Sequence, residues 1–452
     1  MNHPIWPTRT LGELFNIGAG KAMSPAARLG ERTYPFLRTA NVFWGRLDLT
    51  TLDTMNFSEQ EIETKSLRKG DLLVCEGGDI GRSAVWTGEV EKCGFQNHIH
   101  RLRPKSTETL PVFVMYYLQA GFTQLGVYEG AGNNTTIPNL SRGRLSALLV
   151  PTPPKPEQEK IATVLRKIQR AIEVEEALLT GTRELKQSTM RHIFTHGLHG
   201  VPPKETPFGQ VPKTWEIKPL SDWAFVQTGA TKGRKINTED AIEVPYLRVA
   251  NVQDGHLNLK EMKTITIRRD ELPGYQLQNH DVVLTEGGDF DKLGRGFIWE
   301  NQINPCIHQN HVFAVRVNRE KLSARYFAYL AQSPYGKAYF LMVAHKTTNL
   351  ACINTTKLRA FPVVRPELDE QREIASILQT IDRKISVHER KRATLLDLFQ
   401  TMLHQLMTAQ IRVDNLDIDT SEILDPHPPQ RAGSKPSPQP ITNYEYAIRC
   451  LL

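Results

Sequence analysis

Cysteine and histidine residues recur in two groups along the chain, and these residue types bind metals in proteins. The groups are Cys93, His98 and His100, and Cys306, His308 and His311. Zinc sites need four ligands in a fixed geometry, but the third residue sits differently in the two groups and no fourth recurs. We therefore expect no metal here and assign these residues buried structural roles.

Two pairs of carboxylates also recur, each pair enclosing two glycines: Glu76 with Asp79, and Glu286 with Asp289. Paired carboxylates bind the metal ions of many nucleases. No Glu-x-Lys follows on a neighbouring strand, however, and Gly-Gly between two acids is typical of a turn. The pattern favours a turn over a nuclease centre, so a standalone nuclease is a weak alternative.

No motif for ATP hydrolysis or methyl transfer is complete in this sequence. Gly18-Ala19-Gly20-Lys21 is too short for the phosphate-binding loop G-x-x-x-x-G-K-[ST]. Asn304-Pro305-Cys306 lacks the second proline and the aromatic residue of the amino-methyltransferase tetrad, and no glycine-rich cofactor motif accompanies it. We expect a non-catalytic chain that binds no cofactor itself.

Composition is that of a globular protein of two to four domains: 452 residues, a net charge of +7, and 40% hydrophobic residues. No run of about 18 apolar residues is present, and the N-terminus does not resemble a signal peptide. Five cysteines without C-x-x-C spacing argue against a disulfide framework or a zinc ribbon. These features predict a cytoplasmic protein with no membrane segment.

The chain is an internal duplication with a separation of about 210 residues. PFLRTANVFWGRLDL from Pro35 recurs as PYLRVANVQDGHLNL from Pro245, and GDLLVCEGGD recurs as HDVVLTEGGD. Cys-x-x-Gln-Asn-His occurs at Cys93 and Cys306, and PEQEKIATVL from Pro156 recurs as DEQREIASIL. Because these segments keep their order in both halves, the whole fold is expected to be duplicated.

Each copy combines short apolar runs between Gly, Pro and Asp, which predict strands, with a heptad-patterned segment, which predicts a long helix. The fold class predicted is α+β: two tandem α/β domains, each followed by a helix, with the two helices pairing as an antiparallel coiled coil in a pseudo-twofold dumbbell. The predicted boundaries are 1–156 (first domain), 157–196 (first helix), 197–219 (linker), 220–369 (second domain), 370–410 (second helix) and 411–452 (Pro-rich, loosely ordered tail).

The duplicated arrangement resembles the specificity (S) subunits of type I restriction-modification systems. The resemblance rests on Trp-x4-Leu at Trp6 and Trp215, LR-x-A-N-V at Leu37 and Leu247, the repeated Gln-Asn-His, and Glu-Gln at the start of each helix. Two departures are the Glu-Gly-Gly-Asp turns, which add acid where a Ser-Arg-rich turn is expected. The motifs cover nearly the whole chain except its tail.

The resemblance implies a DNA-reading subunit in which each domain is a target recognition domain for one half of a split sequence. The helices would then set the spacer and dock two modification (methyltransferase) subunits. It also implies double-stranded DNA and restriction (motor-nuclease) subunits as partners, with S-adenosylmethionine, ATP and Mg²⁺ bound by those partners. The alternative that we keep open is a coiled-coil scaffold with two protein-binding heads.

Two regions in each domain have the residue types that contact DNA: a Gly-flanked basic segment near the start, and a polar loop late in the domain. The candidates are Lys21, Arg28, Asn133, Asn134, Thr135 and Thr136 in the first domain, and Lys232, Arg234, Lys235, Lys346, Thr347, Thr348 and Asn349 in the second. In the helices, polar residues interrupt the apolar stripe at Glu175, His388 and Arg392. Antiparallel pairing about residues 176 and 389 would bring these three together, and we predict that they set the register.

Overall fold

The computed structural model describes residues 6–128, 139–233, 236, 239–288, 292–346 and 351–424. These residues form two compact units, one made of residues 6–176 and 390–424 and the other of residues 177–389. Each unit contains one copy of the duplicated domain together with parts of both long helices. The duplication in sequence is therefore also a duplication in structure.

The first domain and its helix contain eleven strands and six α-helices among the described residues. These are β1 (Thr8–Thr10), α1 (Leu11–Leu14), β2 (Phe15–Ala19), α2 (Pro25–Arg28), β3 (Thr33–Leu37), β4 (Val42–Phe43), β5 (Arg46–Leu47), β6 (Asp53–Asn56), α3 (Glu59–Lys65), β7 (Leu72–Cys75), β8 (Ser83–Val85), β9 (Gly94–Phe95), β10 (Ile99–Pro104), α4 (Pro111–Thr123), α5 (Arg142–Ala147), β11 (Leu149–Pro151) and α6 (Lys155–His196).

A four-stranded antiparallel sheet in the order β2-β10-β7-β8 organises this domain. The strand β7 is buried on both faces, because successive side chains of a strand point in opposite directions. Leu72 and Val74 pack into the core that also contains α4 and α6, whereas Leu73 and Cys75 pack into a second core with Trp86. A smaller sheet, β6-β3-β9, completes the domain.

The second domain repeats this plan after a short hairpin. Its elements are β12 (Pro203–Thr206), β13 (Gly209–Pro212), β14 (Glu216–Pro219), β15 (Ala224–Thr228), β16 (Ala241–Leu247), β17 (Val252–Gln253), β18 (His256–Leu257), β19 (Lys263–Arg268), α7 (Leu272–Tyr275), β20 (Val282–Thr285), β21 (Gly287–Gly288), β22 (Gly296–Ile298), β23 (Ile307–His308), β24 (Val312–Val317), α8 (Ala324–Gln332), α9 (Pro334–Val343), β25 (His345–Lys346), β26 (Ala351–Cys352), α10 (Thr355–Arg359), β27 (Pro362–Arg365) and α11 (Leu368–Met407); α12 (Ser421–Leu424) follows. The sheets β15-β24-β20-β22 and β19-β16-β23 match the two sheets of the first domain.

The two long helices pair antiparallel within each unit, as the heptad pattern predicted. In the first unit the start of α6, at Ile161 and Leu165, shares a core with the end of α11, at Leu403 and Leu406. In the second unit the start of α11, at residues 374–378, shares a core with the end of α6, at residues 190–194. The apolar stripes are thus buried against each other in both units.

The first residues of the predicted tail pack against the first unit. Residues 411–424 were expected to be loosely ordered, but Val413 and Ile423 are buried in the core of the first unit. The Lys160 ammonium also donates to the Asp414 carbonyl, at 2.7 Å. The predicted tail is acidic and contains many prolines, so its composition did not indicate that a few of its apolar residues would complete the core.

None of the helices among the described residues is long and apolar enough to cross a membrane.

Candidate nucleic-acid interface

In the first domain, the sequence motifs meet at one edge of the four-stranded sheet. Neighbouring antiparallel strands run in opposite directions, so β2 and β7 end at the edge where β10 and β8 begin. The register places Ala19 opposite His100, Cys75 opposite Ile99 and Val74 opposite Ser83. The segments 20–21, 76–79 and 96–98, which we call the loop edge of this domain, are therefore neighbours.

The second domain has the same loop edge, formed by segments 229–232, 286–288 and 309–311. Thr228 lies opposite Phe313, Thr285 opposite Val312 and Leu284 opposite Gly296. The Gln-Asn-His turns occupy the same place in both domains: Asn97 donates its backbone N–H to the Lys21 carbonyl, and Asn310 donates to the Ala230 carbonyl. The repeated motifs therefore build one structural feature twice.

The Lys21 ammonium is held within its own domain. It pairs with the Glu61 carboxylate at 2.5 Å, lies 5.2 Å from the centre of the Phe57 ring, and is only 16% exposed. The prediction that Lys21 is displayed to DNA did not foresee Glu61 on α3. Its charge is neutralised inside the protein, because strand pairing brings α3 beside the end of β2.

The glycines beside this segment approach protein backbone. A Cβ added at Gly20 would lie 2.2 Å from the Phe95 carbonyl oxygen, and one at Gly229 would lie 2.2 Å from the His308 carbonyl oxygen. No side chain fits at such distances. Close packing on the neighbouring strand therefore requires glycine at these two positions.

Two predicted cations remain exposed. Arg28 lies in the last turn of α2, and Lys232 lies at the loop edge of the second domain with its ammonium 5.3 Å from the centre of the Tyr246 ring. Nine other predicted DNA contacts lie outside the described residues: Asn133, Asn134, Thr135, Thr136, Arg234, Lys235, Thr347, Thr348 and Asn349. The side chain of Lys346 is also outside the described set, although its backbone forms part of β25.

The chain that follows each late polar loop returns to the loop edge. In the first domain Asn139 pairs with Gly77, and in the second β26 pairs with β21, Gly287 lying opposite Cys352. A Cβ at Gly287 would lie 2.7 Å from the Ala351 carbonyl oxygen, so this position needs glycine. The Glu-Gly-Gly turns thus provide the backbone surface on which the ends of the late loops are anchored.

A glutamate and a histidine pair at each loop edge. The distance from Nδ1 of His98 to Oε2 of Glu76 is 3.5 Å, and that from Nδ1 of His311 to Oε2 of Glu286 is 2.5 Å. The prediction of buried structural roles for both histidines is wrong, because their side chains are 51% and 55% exposed. The sequence pattern grouped the glutamates with the aspartates instead. The available signal was that all four residues recur at equivalent places in the repeat.

The neighbouring cysteines and histidines are buried and bound to backbone. Burial raises the pKa of the Cys93 and Cys306 thiols to about 12 and lowers the pKa of His308 to about 4. The imidazole Nδ1 of His308 is 2.6 Å from the Val312 carbonyl, and Nε2 of His100 is 2.9 Å from the Leu140 carbonyl. Among the described residues, no group of three or more His, Cys, Asp or Glu side chains is placed to hold a metal ion.

The Glu-Gln pair that opens each long helix fixes that helix to its domain. The Gln158 amide accepts from the Leu110 backbone N–H and donates to the carbonyls of residues 108 and 153. Gln371 makes the same three bonds in the second unit, with the N–H of Ser323 and the carbonyls of residues 321 and 366. Both amides are buried and use all these bonds to satisfy backbone groups, which explains why the motif is duplicated.

The glutamate of the same motif ties the start of one helix to the residues after the other. The Glu157 carboxylate accepts from the Arg412 guanidinium at 2.6 Å and from the Trp6 indole at 3.2 Å. In the second unit, Glu370 accepts from the Leu198 backbone N–H at 3.2 Å. The register is thus constrained at the helix ends, which the heptad pattern did not indicate.

Near the middle of the helices the partners differ from those predicted. Glu175 is buried and pairs with Lys391 at 2.5 Å, and Arg392 pairs with Glu176 at 2.7 Å. The grouping of Glu175 with His388 stays a prediction, since the two residues belong to different units. Arg392 therefore meets the glutamate next to the predicted one, a shift of one residue that a heptad pattern does not resolve.

Comparison with known proteins agrees with the duplicated architecture. A family model described as the type I restriction modification DNA specificity domain matches residues 5–181 and 212–397. The type I restriction enzyme MjaVIII specificity subunit of Methanocaldococcus jannaschii is 24% identical over 91% of this chain and 94% of its own length. A putative MjaX specificity subunit of the same organism is 25% identical, but its match spans 45% of this chain and about half of that protein, 48%.

One solved structure shares the fold across most of the chain. It is the type I restriction-modification system S subunit from M. genitalium, with a TM-score of 0.54 and 15% identity. The match covers 90% of this chain and 97% of that one. At this level of identity the likeness concerns the fold alone, which is the two-domain, two-helix arrangement described above.

Proposed function

The chain belongs to the type I restriction modification DNA specificity family, and we propose that each of its two domains reads one half of a bipartite DNA target. DNA target recognition in a type I restriction-modification system is its function, and it is a specificity subunit like its named relatives. The alternative of a protein-binding scaffold is not favoured, since those relatives are restriction-enzyme subunits.

The observation that carries the two-half proposal is the duplicated loop edge. Each domain collects the Glu-Gly-Gly turn, the Gln-Asn-His turn and the ends of the late polar loop at one edge of its sheet. Loops at the edge of a rigid sheet can vary in sequence while the sheet holds them in place. Two such edges on one chain suit two half-sites, and linking them raises the effective concentration of the second contact.

The two long helices would set the separation of the half-sites and dock two modification subunits. This proposal is supported by the antiparallel pairing, in which ion pairs and apolar contacts hold both helices within each unit. Two equivalent helices offer two equivalent surfaces, which suits two copies of one partner. A restriction subunit would join the same complex.

Catalysis would belong to those partners, with S-adenosylmethionine bound by the modification subunits, and ATP and Mg²⁺ bound by the restriction subunits. The support comes from sequence: Gly18-Ala19-Gly20-Lys21 is too short for an ATP-binding loop, and Asn304-Pro305-Cys306 is an incomplete methyltransferase tetrad. The structure instead uses Gly20 to pack against the Phe95 carbonyl. We expect the purified chain alone to neither methylate nor cut DNA, and methyl transfer after removal of co-purified subunits would contradict this.

Exchanging one domain tests the assignment of half-sites. Residues 1–150 are replaced by the equivalent domain of another specificity subunit, and the methylated motif of the assembled complex is read by sequencing. Only one half of the motif should change, because the second domain is untouched. The matched control exchanges residues 220–369 and should change the other half. A change in both halves, or in neither, would contradict independent reading.

A further inference from the structure

The Glu–His pair is joined twice in each domain. Besides the side-chain contact, Glu76 donates its backbone N–H to the His98 carbonyl at 2.9 Å, and Glu286 donates to the His311 carbonyl at 3.0 Å. The backbone bond fixes the position of the histidine. The side-chain contact, which is a hydrogen bond in the second domain, places Nδ1 of the ring on the side of the carboxylate. It is present in both domains, although most exposed side chains differ between them.

The histidine lies outside and the glutamate behind it. His98 and His311 are 51% and 55% exposed, whereas Glu76 and Glu286 are 18% and 27% exposed. With Nδ1 turned towards the carboxylate, Nε2 lies on the opposite side of the imidazole ring. A protonated ring donates at both nitrogens, so it can bind the partly buried carboxylate on one side and an external anion on the other.

A structural role alone does not explain this arrangement. The histidines that serve structure in these domains, His100 and His308, are 2% and 0% exposed and contact backbone carbonyls. His98 and His311 instead place more than half of the side chain outside the protein. Exposed polar residues held in a defined orientation are a feature of binding surfaces.

The position of the pair links it to the loops proposed to read DNA. The Glu76 carbonyl accepts from the Leu140 N–H at 2.7 Å, and the Glu286 carbonyl accepts from the Ile353 N–H at 2.9 Å. Leu140 and Ile353 follow the late polar loops of their domains. One glutamate therefore positions both the histidine and the end of the late loop.

We propose that His98 and His311 each contact a phosphate of the DNA backbone, with Glu76 and Glu286 as positioning residues. This rests on the proposed function, in which the two domains read different half-sites. A residue type that is the same in both domains cannot distinguish those half-sites, whereas the phosphodiester is common to every DNA sequence. The imidazole also separates the carboxylate from the phosphate, which would otherwise repel each other.

The first test measures DNA binding by the full chain as a function of salt concentration. The variants are His98→Ala, His311→Ala and the double variant, with His199→Ala as control, since His199 is exposed in the turn after α6 and outside both loop edges. The probes are a duplex that carries the motif methylated in the source genome and a duplex of scrambled sequence. The buffer is at about pH 6, where an ordinary imidazole is mostly protonated.

Each histidine variant should weaken binding to both duplexes about tenfold, the size of one charge-assisted hydrogen bond. Each should also reduce the slope of log affinity against log salt by about 1, as expected for one lost phosphate contact. His98→Arg should restore both values, because arginine also donates to phosphate. Replacing single phosphates of the motif duplex by neutral methylphosphonates should reveal one position that weakens the wild-type chain but not His98→Ala.

The positioning role is tested by a double-mutant cycle. Glu76→Ala should weaken binding in the wild-type chain but add little in the His98→Ala chain, because the glutamate acts through the histidine. Glu286→Ala with His311→Ala is the matched pair in the second domain. Thermal unfolding of each variant checks that the fold is retained. Full additivity of the two effects would overturn the positioning role.

The outcomes separate this inference from the proposed function. If the wild-type chain prefers the motif duplex and the histidine variants keep both affinity and salt slope, the phosphate contact is wrong and target recognition stands. If a histidine variant instead relaxes the motif at one base pair, the residue reads a base and the inference is overturned. If the wild-type chain binds neither duplex, the proposed function and this inference both fail.

Discussion

The separation of the half-sites should follow the length of the two helices. Two ion pairs between the helices each lie within one unit: Glu175 with Lys391 in the first, and Lys186 with Asp382 in the second. The boundary between units falls after Glu176 in α6 and after Glu389 in α11. Equal insertions at these two points therefore lengthen both helices without separating the pairs.

Three inserted heptads in each helix should preserve binding at a longer spacer. They add about 31 Å at about 1.5 Å per residue, which is the length of about nine base pairs at about 3.4 Å each. Each heptad rotates an α-helix by about 20° less than two whole turns, so three inserted heptads leave the rotation about 60° short of six whole turns. Nine base pairs fall roughly 51° short of one turn at about 10.5 base pairs per turn. The two rotations have the same sense. If the DNA runs along the helices, each domain therefore still faces its half-site to within about 10°.

A single inserted heptad is the matched control. It adds about 10 Å, or about three base pairs, over which the DNA turns by about 103°. The domain meanwhile turns by about 20° in the opposite sense. One half-site should then face away from its domain, so this variant should lose simultaneous binding of both halves.

The assay measures the affinity of each variant, assembled with its modification subunits, for duplexes whose half-sites are moved apart one base pair at a time. Circular dichroism confirms that the added residues are helical. The three-heptad variant should prefer a spacer about nine base pairs longer, with each half-site unchanged. A folded three-heptad variant that still prefers the original spacer would refute the reasoning. So would a one-heptad variant that binds a spacer three base pairs longer as tightly as the wild type binds its own.

Three further predictions concern single residues. Gln158→Ala leaves one N–H and two carbonyls without their partner, so it should lower the free energy of unfolding of the first unit by about 2–4 kcal/mol; the exposed Gln187→Ala is the control, and an equal loss in both would contradict the assignment. Burial lowers the pKa of His308 to about 4, whereas a histidine in the unfolded chain has a pKa of about 6.5. Between these two values the unfolded chain binds more protons than the folded chain. The free energy of unfolding therefore falls as pH drops from about 6.5 to about 4. His308→Gln should remove about 3 kcal/mol of that pH dependence in chemical denaturation, and an unchanged profile would contradict it. In a Cys450→Ser chain, a maleimide should label the exposed Cys352 before the other three described cysteines, which are buried, and bound duplex should slow the labelling; an equal rate with and without DNA would argue against this interface.

Repetition and periodicity in the sequence were enough to predict the architecture. The repeat established that there are two equivalent domains, since segments such as those beginning at Pro35 and Pro245 keep their order in both halves. The apolar run that became β7 and the heptad pattern of α6 and α11 are local signals. Hydrophobic periodicity reflects which side of a helix or strand is buried. It therefore predicts the type of element and the face that packs against the rest of the protein. The antiparallel pairing followed from two such faces on one chain.

The pairing of polar groups, in contrast, could not be predicted without the folded structure. Glu61 neutralises Lys21, His98 joins Glu76, and Arg412 reaches Glu157. The residues of each pair are separated along the chain by 40 residues in the first case and by 255 in the last. Such contacts depend on strand register and on the packing of distant elements, where a shift of one residue changes the partner. A pattern in the sequence indicates whether a residue is exposed or buried. The partner of a charged group depends on which distant residue the fold brings next to that group.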